Sequence, residues 1–149
     1  VTQPPILGFR KQYHFLSNFY PVNITIPDDD GTEYVYKSSE HYFMSRKTTF
    51  NIFRDCIRAC KTAPLAKKYT RKYVKLRANW NEFYRLPAML TALRYKFAIP
   101  ELRDLLIATG DAYLEETNTW NDQFWGVCDG EGKNMLGKFL MKVRDEVRI

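Results

Sequence analysis

Cysteine is scarce in this sequence. Cys56, Cys60 and Cys128 are the three present, an odd number with no spacing that suggests a disulfide framework. Cys56 and Cys60 stand one helical turn apart, but neither His14 nor His41 lies near enough in sequence to complete a zinc quartet with them. Reduced, structural cysteines in a cytoplasmic protein are therefore expected. No apolar run approaches membrane-spanning length and no signal peptide is visible, which argues against a membrane partner. There is no GxGxxG or Walker-type loop, and strands and helices do not alternate as βαβ units. A doubly wound dinucleotide-binding fold is accordingly not expected. No internal repeat, low-complexity tract or linker interrupts the chain.

What is present is a chain of 149 residues, long enough to bury a core without covalent staples and read as one domain over residues 1–149. Aromatic residues are abundant, with ten Tyr, ten Phe and three Trp. They supply either a core of large rings or a stacking surface for a flat ligand. The formal net charge of +6 favours an anionic partner. The basic residues concentrate between Lys61 and Arg77, with Tyr69 and Tyr73 interleaved. Nucleic acid and a phosphorylated small molecule both fit that segment, as does a solvated helix face whose lysine stems cover tyrosines.

The alternation of apolar and polar residues over Val22–Ile26 and Glu33–Tyr36, with an Asp-Gly pair between them, predicts a β-hairpin. Helical periodicity follows. Ser38 or Ser39 caps a helix running to about Phe50, and Asn51–Cys60 continues as a second piece. Thr62 with Pro64 opens another helix. Asn79 with Glu82 has the spacing of a capping box, before a helix with Leu86, Leu90, Leu93 and Phe97 on one face. Pro100 begins a shorter helix bearing Leu102, Leu105 and Leu106 that Thr109-Gly110 ends. Ala112–Glu116 and Gln123–Val127 read as short strands. Gly130–Lys133 reads as a turn, and Asn134–Val147 as an amphipathic helix with Leu136, Leu140, Val143 and Val147 inward. The expected fold class is α+β, a helix-rich single domain with a small β-sheet.

Within this frame the segment Ser38–Lys47 stands out. Read as a helix, it puts Glu40, Phe43/Met44 and Lys47 on one face. Two polar and aromatic clusters elsewhere could complete a pocket with it, Phe15–Pro21 and Asn121–Gly126. The alternative is a solvated face carrying Glu40 and Lys47 above a core of rings.

Taken in order, the motifs resemble those of the NADAR family. They are Leu16-Ser17-Asn18-Phe19, then Ser39-Glu40-His41-Tyr42-Phe43 with Lys47, then Arg77-Ala78-Asn79-Trp80 and Leu93-Arg94-Tyr95-Lys96-Phe97. Asn121-Asp122 with Phe124-Trp125-Gly126 follows. Last comes Lys133-Asn134-Met135-Leu136-Gly137 with Leu140-Met141 and Arg144. The resemblance implies an α+β N-glycosidase that cleaves the bond between a base and a ribose bearing phosphate or ADP, with no metal or redox cofactor. Two substrate classes follow from it: early pyrimidine intermediates of riboflavin biosynthesis, and ADP-ribose on guanine in nucleic acid. It places the active residues at Glu40, Trp80 and Asp122, with the family lysine at Lys47. The loop Glu115–Asn121 is about one residue longer than the family pattern and carries an extra Trp120, which bears on substrate preference more than on reaction class.

Breaking an N-glycosidic bond requires stabilising both the departing nitrogen and the positive charge that develops at C1′. A carboxylic acid and a carboxylate perform those tasks. Glu40 and Asp122 are the candidates, without assignment of which plays which part. Glu40 stands at a helix start among rings, where desolvation favours an acid/base role, while Asp122 has a turn-capping alternative. Lys47 opens a second route, attack of a neutral amine on C1′ of a ring-opened ribose to form a Schiff base. Its alternatives are pairing with Glu40 or holding a phosphate. Trp80 and Trp125 are candidate stacking platforms, Asn18 a candidate ribose or base contact with Phe19 beneath it, and Arg77 and Lys96 candidate phosphate partners. A non-catalytic ADP-ribose or nucleotide-binding module would use the same pocket, but it would gain nothing from two carboxylates.

Overall fold

The computed structural model describes residues 3–149. Its contacts divide into two compact units, one of Asn18–Lys96 and one of Phe97–Ile149 with the N-terminal stretch through Ser17. The elements conform to the expected helix-rich α+β class. No helix among the described residues is long and apolar enough to cross a membrane.

The unit Asn18–Lys96 begins with the predicted hairpin. Strand β2 (Ile24–Pro27) pairs antiparallel with β3 (Glu33–Tyr36), Ile24 opposite Tyr36 and Pro27 opposite Glu33. Burial alternates along β2, so Ile24 and Ile26 enter the core while Thr25 faces out. The connection closes through Asp28 N–H to Thr32 O at 2.8 Å and Gly31 N–H to Asp28 O at 2.9 Å.

Helix α1 (Ser39–Ser45) follows, and every one of its residues is buried. The Ser38 hydroxyl caps it, accepting from His41 N–H at 3.1 Å. The His41 ring is fixed at both nitrogens. Nε2 donates to Cys60 O at 2.9 Å, because a carbonyl can only accept, and Nδ1 therefore accepts from Ser38 Oγ at 2.6 Å. Burial holds this imidazole below its ordinary pKa, with Lys37 acting in the same direction.

Sequence periodicity predicts that helix to about Phe50, but it ends at Ser45. Arg54 Nε donates to Ser45 O at 3.1 Å and to Thr48 O at 2.9 Å, satisfying carbonyls that a continuing helix would use. Helix α2 (Asn51–Ala59) then starts afresh. Helix α3 (Ala63–Tyr73) has the predicted start, with Thr62 Oγ1 accepting from Leu65 N–H at 3.3 Å and Pro64 in the first turn.

The capping box at Asn79 does not form. Asn79 has φ of 62° and makes no side-chain cap bond, and a π-helical turn over Trp80–Tyr84 leads into α4 (Arg85–Lys96). The wide turn precedes Pro87, which has no N–H to contribute to the helix ladder. The buried face of α4 is Ala88, Met89, Ala92, Leu93 and Lys96. Leu86, expected inside, is 37% exposed.

In the other unit, β1 (Ile6–Leu7) lies parallel to β4 (Leu114–Glu115), and β5 (Thr117–Asn118) lies parallel to β6 (Val127–Cys128). Helix α5 (Pro100–Ala108) buries Leu102 and Leu106 and leaves Leu105 exposed. Helix α6 (Met135–Val147) buries Leu136, Leu140 and Val143, with Val147 only half-buried. Gly137 is required where α6 meets β4, since an added Cβ would run into the Leu114 carbonyl and the Asn134 side chain. The predicted strand over Gln123–Val127 is mostly loop, for a reason that appears with Asp122 below.

The hairpin is tied to α1 and α2 by charge. Asp28 Oδ1 receives Arg46 Nη1 at 2.8 Å and Arg54 Nη1 at 3.1 Å, all three side chains being less than a tenth exposed. Burial alone would raise the Asp28 carboxyl. The hydrogen bonds from Arg46 and the Asp29 N–H, with the charges of Arg46 and Arg54, outweigh it and hold the group below the usual carboxylate range. Asp28→Asn is expected to cost about 3–5 kcal/mol in urea unfolding, because two buried guanidiniums lose their counter-charge. Since the folded pKa lies below the unfolded one of about 3.9, the stabilisation is present above that pH and is lost as pH falls through the folded value. The variant should show a flatter acid limb.

Candidate functional site

The residues from Arg46 to Phe50 form a short turn whose backbone is held from two sides. Arg54 takes Ser45 O and Thr48 O from one direction. From the other, Arg77 N–H donates to Lys47 O at 2.9 Å and Arg77 Nη1 donates to Arg46 O at 3.4 Å. The Arg77 guanidinium also stacks on Tyr84, 3.7 Å from the ring centroid. Lys47 is thus positioned by fixed backbone one residue beyond the Arg46 cap of α1, and not by a continuous helix.

The Lys47 side chain is half-buried, with Nζ 5.6 Å from the centre of the Phe43 ring. It borders a pocket of about 190 Å³ whose walls include Met44 and five residues from α3 and the segment after it, Lys67, Thr70, Arg71, Val74 and Leu76. Desolvation is the main cause that lowers the Lys47 pKa, and the charges of Lys67, Arg71 and Arg85 lower it further. Glu40 opposes them electrostatically. Glu40 itself is 6% exposed, so it is not part of a solvated face. Its N–H donates to Asn18 O at 3.1 Å.

Asn18 fastens the start of α1. Its Oδ1 accepts from Ser39 Oγ at 2.8 Å and its Nδ2 donates to Met89 Sδ at 3.3 Å. Phe19, 36% exposed, lies under Lys67, whose Nζ is 5.8 Å from the ring centre. Trp80 is 4% exposed and packs against Phe43 at 5.3 Å between centroids. Lys96 is fully buried, with Nζ 5.7 Å from the Tyr20 ring, and burial pushes its amine down to about 7.

Asp122 and Trp125 belong to the other unit. Asp122 Oδ1 accepts from Phe124 N–H at 3.2 Å and Trp125 N–H at 2.9 Å. Asn118 braces the same loop, donating to Asp122 O at 2.9 Å and accepting from Asp122 N–H at 3.0 Å. These side chains take backbone groups that a strand would commit to a ladder. The loop carbonyls of Phe124 and Trp125 then receive the first amides of α6, Met135 N–H at 3.1 Å and Leu136 N–H at 3.0 Å. Trp125 is half-buried between Phe124 and Phe139.

The structure therefore groups Asn18, Phe19, Glu40, Lys47, Arg77, Trp80 and Lys96 in one unit and Asp122 with Trp125 in the other. Lys67 and Arg71 are absent from the sequence-based site, although the four-residue spacing that puts them on one helix face is legible within the basic run. What the sequence does not convey is that this face meets Lys47.

A small helix-rich α+β protein with an amine held beside a basic pocket is the class defined so far. Residues 8–148 match the NADAR domain, and the chain belongs to that family. It is 38% identical to N-glycosidase YbiA of Escherichia coli over 157 residues, an alignment covering all of this chain and 92% of that protein. A riboflavin biosynthesis protein of Vibrio vulnificus is 36% identical over 99% of this chain, which spans only 40% of that longer protein. The solution structure of E. coli YbiA superposes with a TM-score of 0.83 at 35% identity, covering 99% of this chain and 87% of that one.

Two outcomes are expected at this stage. In a lysine titration followed by NMR of methylated amines, Lys47 should titrate below the ordinary lysine value, and Glu40→Gln should lower it further. Asp122→Ala should destabilise the protein by about 1–2 kcal/mol in thermal or urea unfolding, since two loop amides lose their acceptor.

Proposed function

We propose that this protein is an N-glycosidase that hydrolyses the bond between a phosphorylated ribose, or ADP-ribose, and a base nitrogen. The observation that carries the reading is Lys47, a half-buried amine with a lowered pKa beside a pocket, with buried Glu40 close enough to act on it. The name and full-length similarity of YbiA support the reaction class, and the Vibrio relative supports a riboflavin-type pyrimidine intermediate as one substrate. ADP-ribosylated guanine in nucleic acid is the other.

A neutral lysine is a nucleophile for a sugar carbon, whereas a protonated one is not. In the proposed sequence Glu40, as the acid, protonates the ring oxygen, and the ribose opens to an iminium between C1′ and the base nitrogen. Lys47 adds to C1′. The proton gained by the lysine nitrogen passes to the base nitrogen, the C1′–base bond breaks, and the base departs as a neutral amine. Water hydrolyses the lysine iminium, the sugar leaves as an aldehyde, and the ammonium returns its proton to Glu40. Asn18 acts by holding the start of α1, and Arg77 by holding the Lys47 turn. Trp125 is the half-buried ring proposed to stack on a base or adenine, while Trp80 acts as a buried wall through Phe43. Asp122 is carried as a candidate carboxylate on the family resemblance.

Base release should be measured from a phosphoribosylamino-pyrimidine and from ADP-ribosyl-guanine in single-stranded DNA. Glu40→Gln and Lys47→Ala are each expected to lose about 10²–10⁴-fold or more. Borohydride added during turnover should leave a reduced sugar adduct on Lys47, detectable by peptide mass. Turnover without that adduct would replace the covalent route by direct water attack. Binding of both compounds without turnover would replace the enzyme by a binding module.

A further inference from the structure

The pocket beside Lys47 has a one-sided chemistry. Its lining contains two further cations, Lys67 and Arg71, and no carboxylate. These side chains lie one turn apart on α3, and neither forms an ion pair among the described residues. Thr70, between them in the wall, has already committed its hydroxyl proton to Ala66 O at 2.8 Å. Met44, Val74 and Leu76 supply the apolar remainder. The lining side chains thus offer hydrogen-bond donors only as cations, which suits a ligand carrying full negative charge better than a neutral polar one.

We propose that this pocket seats the phosphoryl group of the substrate, with Lys67 and Arg71 as its contacts, so that α3 determines the choice of phosphorylated over unphosphorylated ribose. The proposal rests on the glycosidase reading above and deepens it. The two cations play different parts. Arg71 can present a planar fork to two phosphoryl oxygens, and Lys67 a movable point charge. The arrangement also links binding to chemistry. With the pocket empty, Lys67 and Arg71 disfavour a proton on Lys47. A bound phosphoryl group offsets their charge and stabilises the cationic lysine adduct that follows attack, so one group would serve as both anchor and counter-ion.

Calorimetric titration with ribose 5-phosphate and with ribose tests this without requiring turnover. Three proteins are compared: wild type, Lys67→Ala/Arg71→Ala, and Lys68→Ala/Lys72→Ala, which removes the same charge from exposed positions of the same helix outside the pocket lining. Circular dichroism confirms that each is folded. Wild type should bind ribose 5-phosphate at least about tenfold more tightly than ribose, as expected for charge-assisted contacts. The preference should vanish in the pocket variant and persist in the exposed-face variant. Equal losses in both variants, a preference surviving in the pocket variant, or no preference in wild type would each overturn the phosphoryl seat. Preference for ribose 5-phosphate in a wild type that releases no base would leave the seat standing and overturn only the glycosidase reading.

Discussion

One carboxylate, that of Asp28, stands between the buried guanidiniums of Arg46 and Arg54. Three charges out of water are tolerated because the two guanidiniums make further hydrogen bonds beyond the shared carboxylate. Arg46 also donates to Ser45 Oγ and the Tyr36 hydroxyl, and Arg54 also donates to the carbonyls of Ser45 and Thr48. The arrangement fixes more than stability. It stops α1 at Ser45, turns the chain, and so sets where Lys47 projects. Without Arg54 donating to those carbonyls, the helical pattern of the sequence favours continuation toward Phe50.

The site in this unit is consequently made of turn backbone and not of a helix face. Arg77 grips the turn from its far side through two bonds to consecutive carbonyls. In the proposed reaction, holding the amine within a narrow range of positions serves addition to a sugar carbon, which tolerates little misplacement. The same positioning brings Lys47 into the field of Lys67, Arg71 and Arg85, against which buried Glu40 is the counterweight. Burial and these like charges lower the pKa of the amine, and those of Lys67 and Arg71 follow from packing α3 near the Lys47 turn.

The two-residue strands in the other unit show the opposite economy. Asn118 and Asp122 bond to backbone close by in sequence and Asn134 reaches back to Leu114 O, so the chain between β4 and α6 is organised by side-chain bonds more than by a sheet. Asp122 therefore has an established structural task, and any chemical one would be additional. Activity and stability of its variants have to be read together for that reason.

The hairpin, the start of α3, the end of α5 and the start of α6 were all legible in the sequence. Alternation, Pro near a helix start and Gly at a helix end act through nearest-neighbour sterics and hydrogen bonds, which the order of residues contains. The ordered motifs likewise identified the family. Tertiary structure decided the length of α1, the failed capping box at Asn79, the buried face of α4 and the exposure of Leu86. It also decided that Glu40 is buried and that Lys67 and Arg71 stand beside Lys47. Each of those outcomes depends on a partner distant in sequence: Arg54 and Arg77 for the turn, Asn18 for the start of α1, and α3 for the pocket. A residue's type and spacing set what it can bond to locally. Which distant group claims its carbonyl, covers its charge or removes its water is settled only when the elements pack.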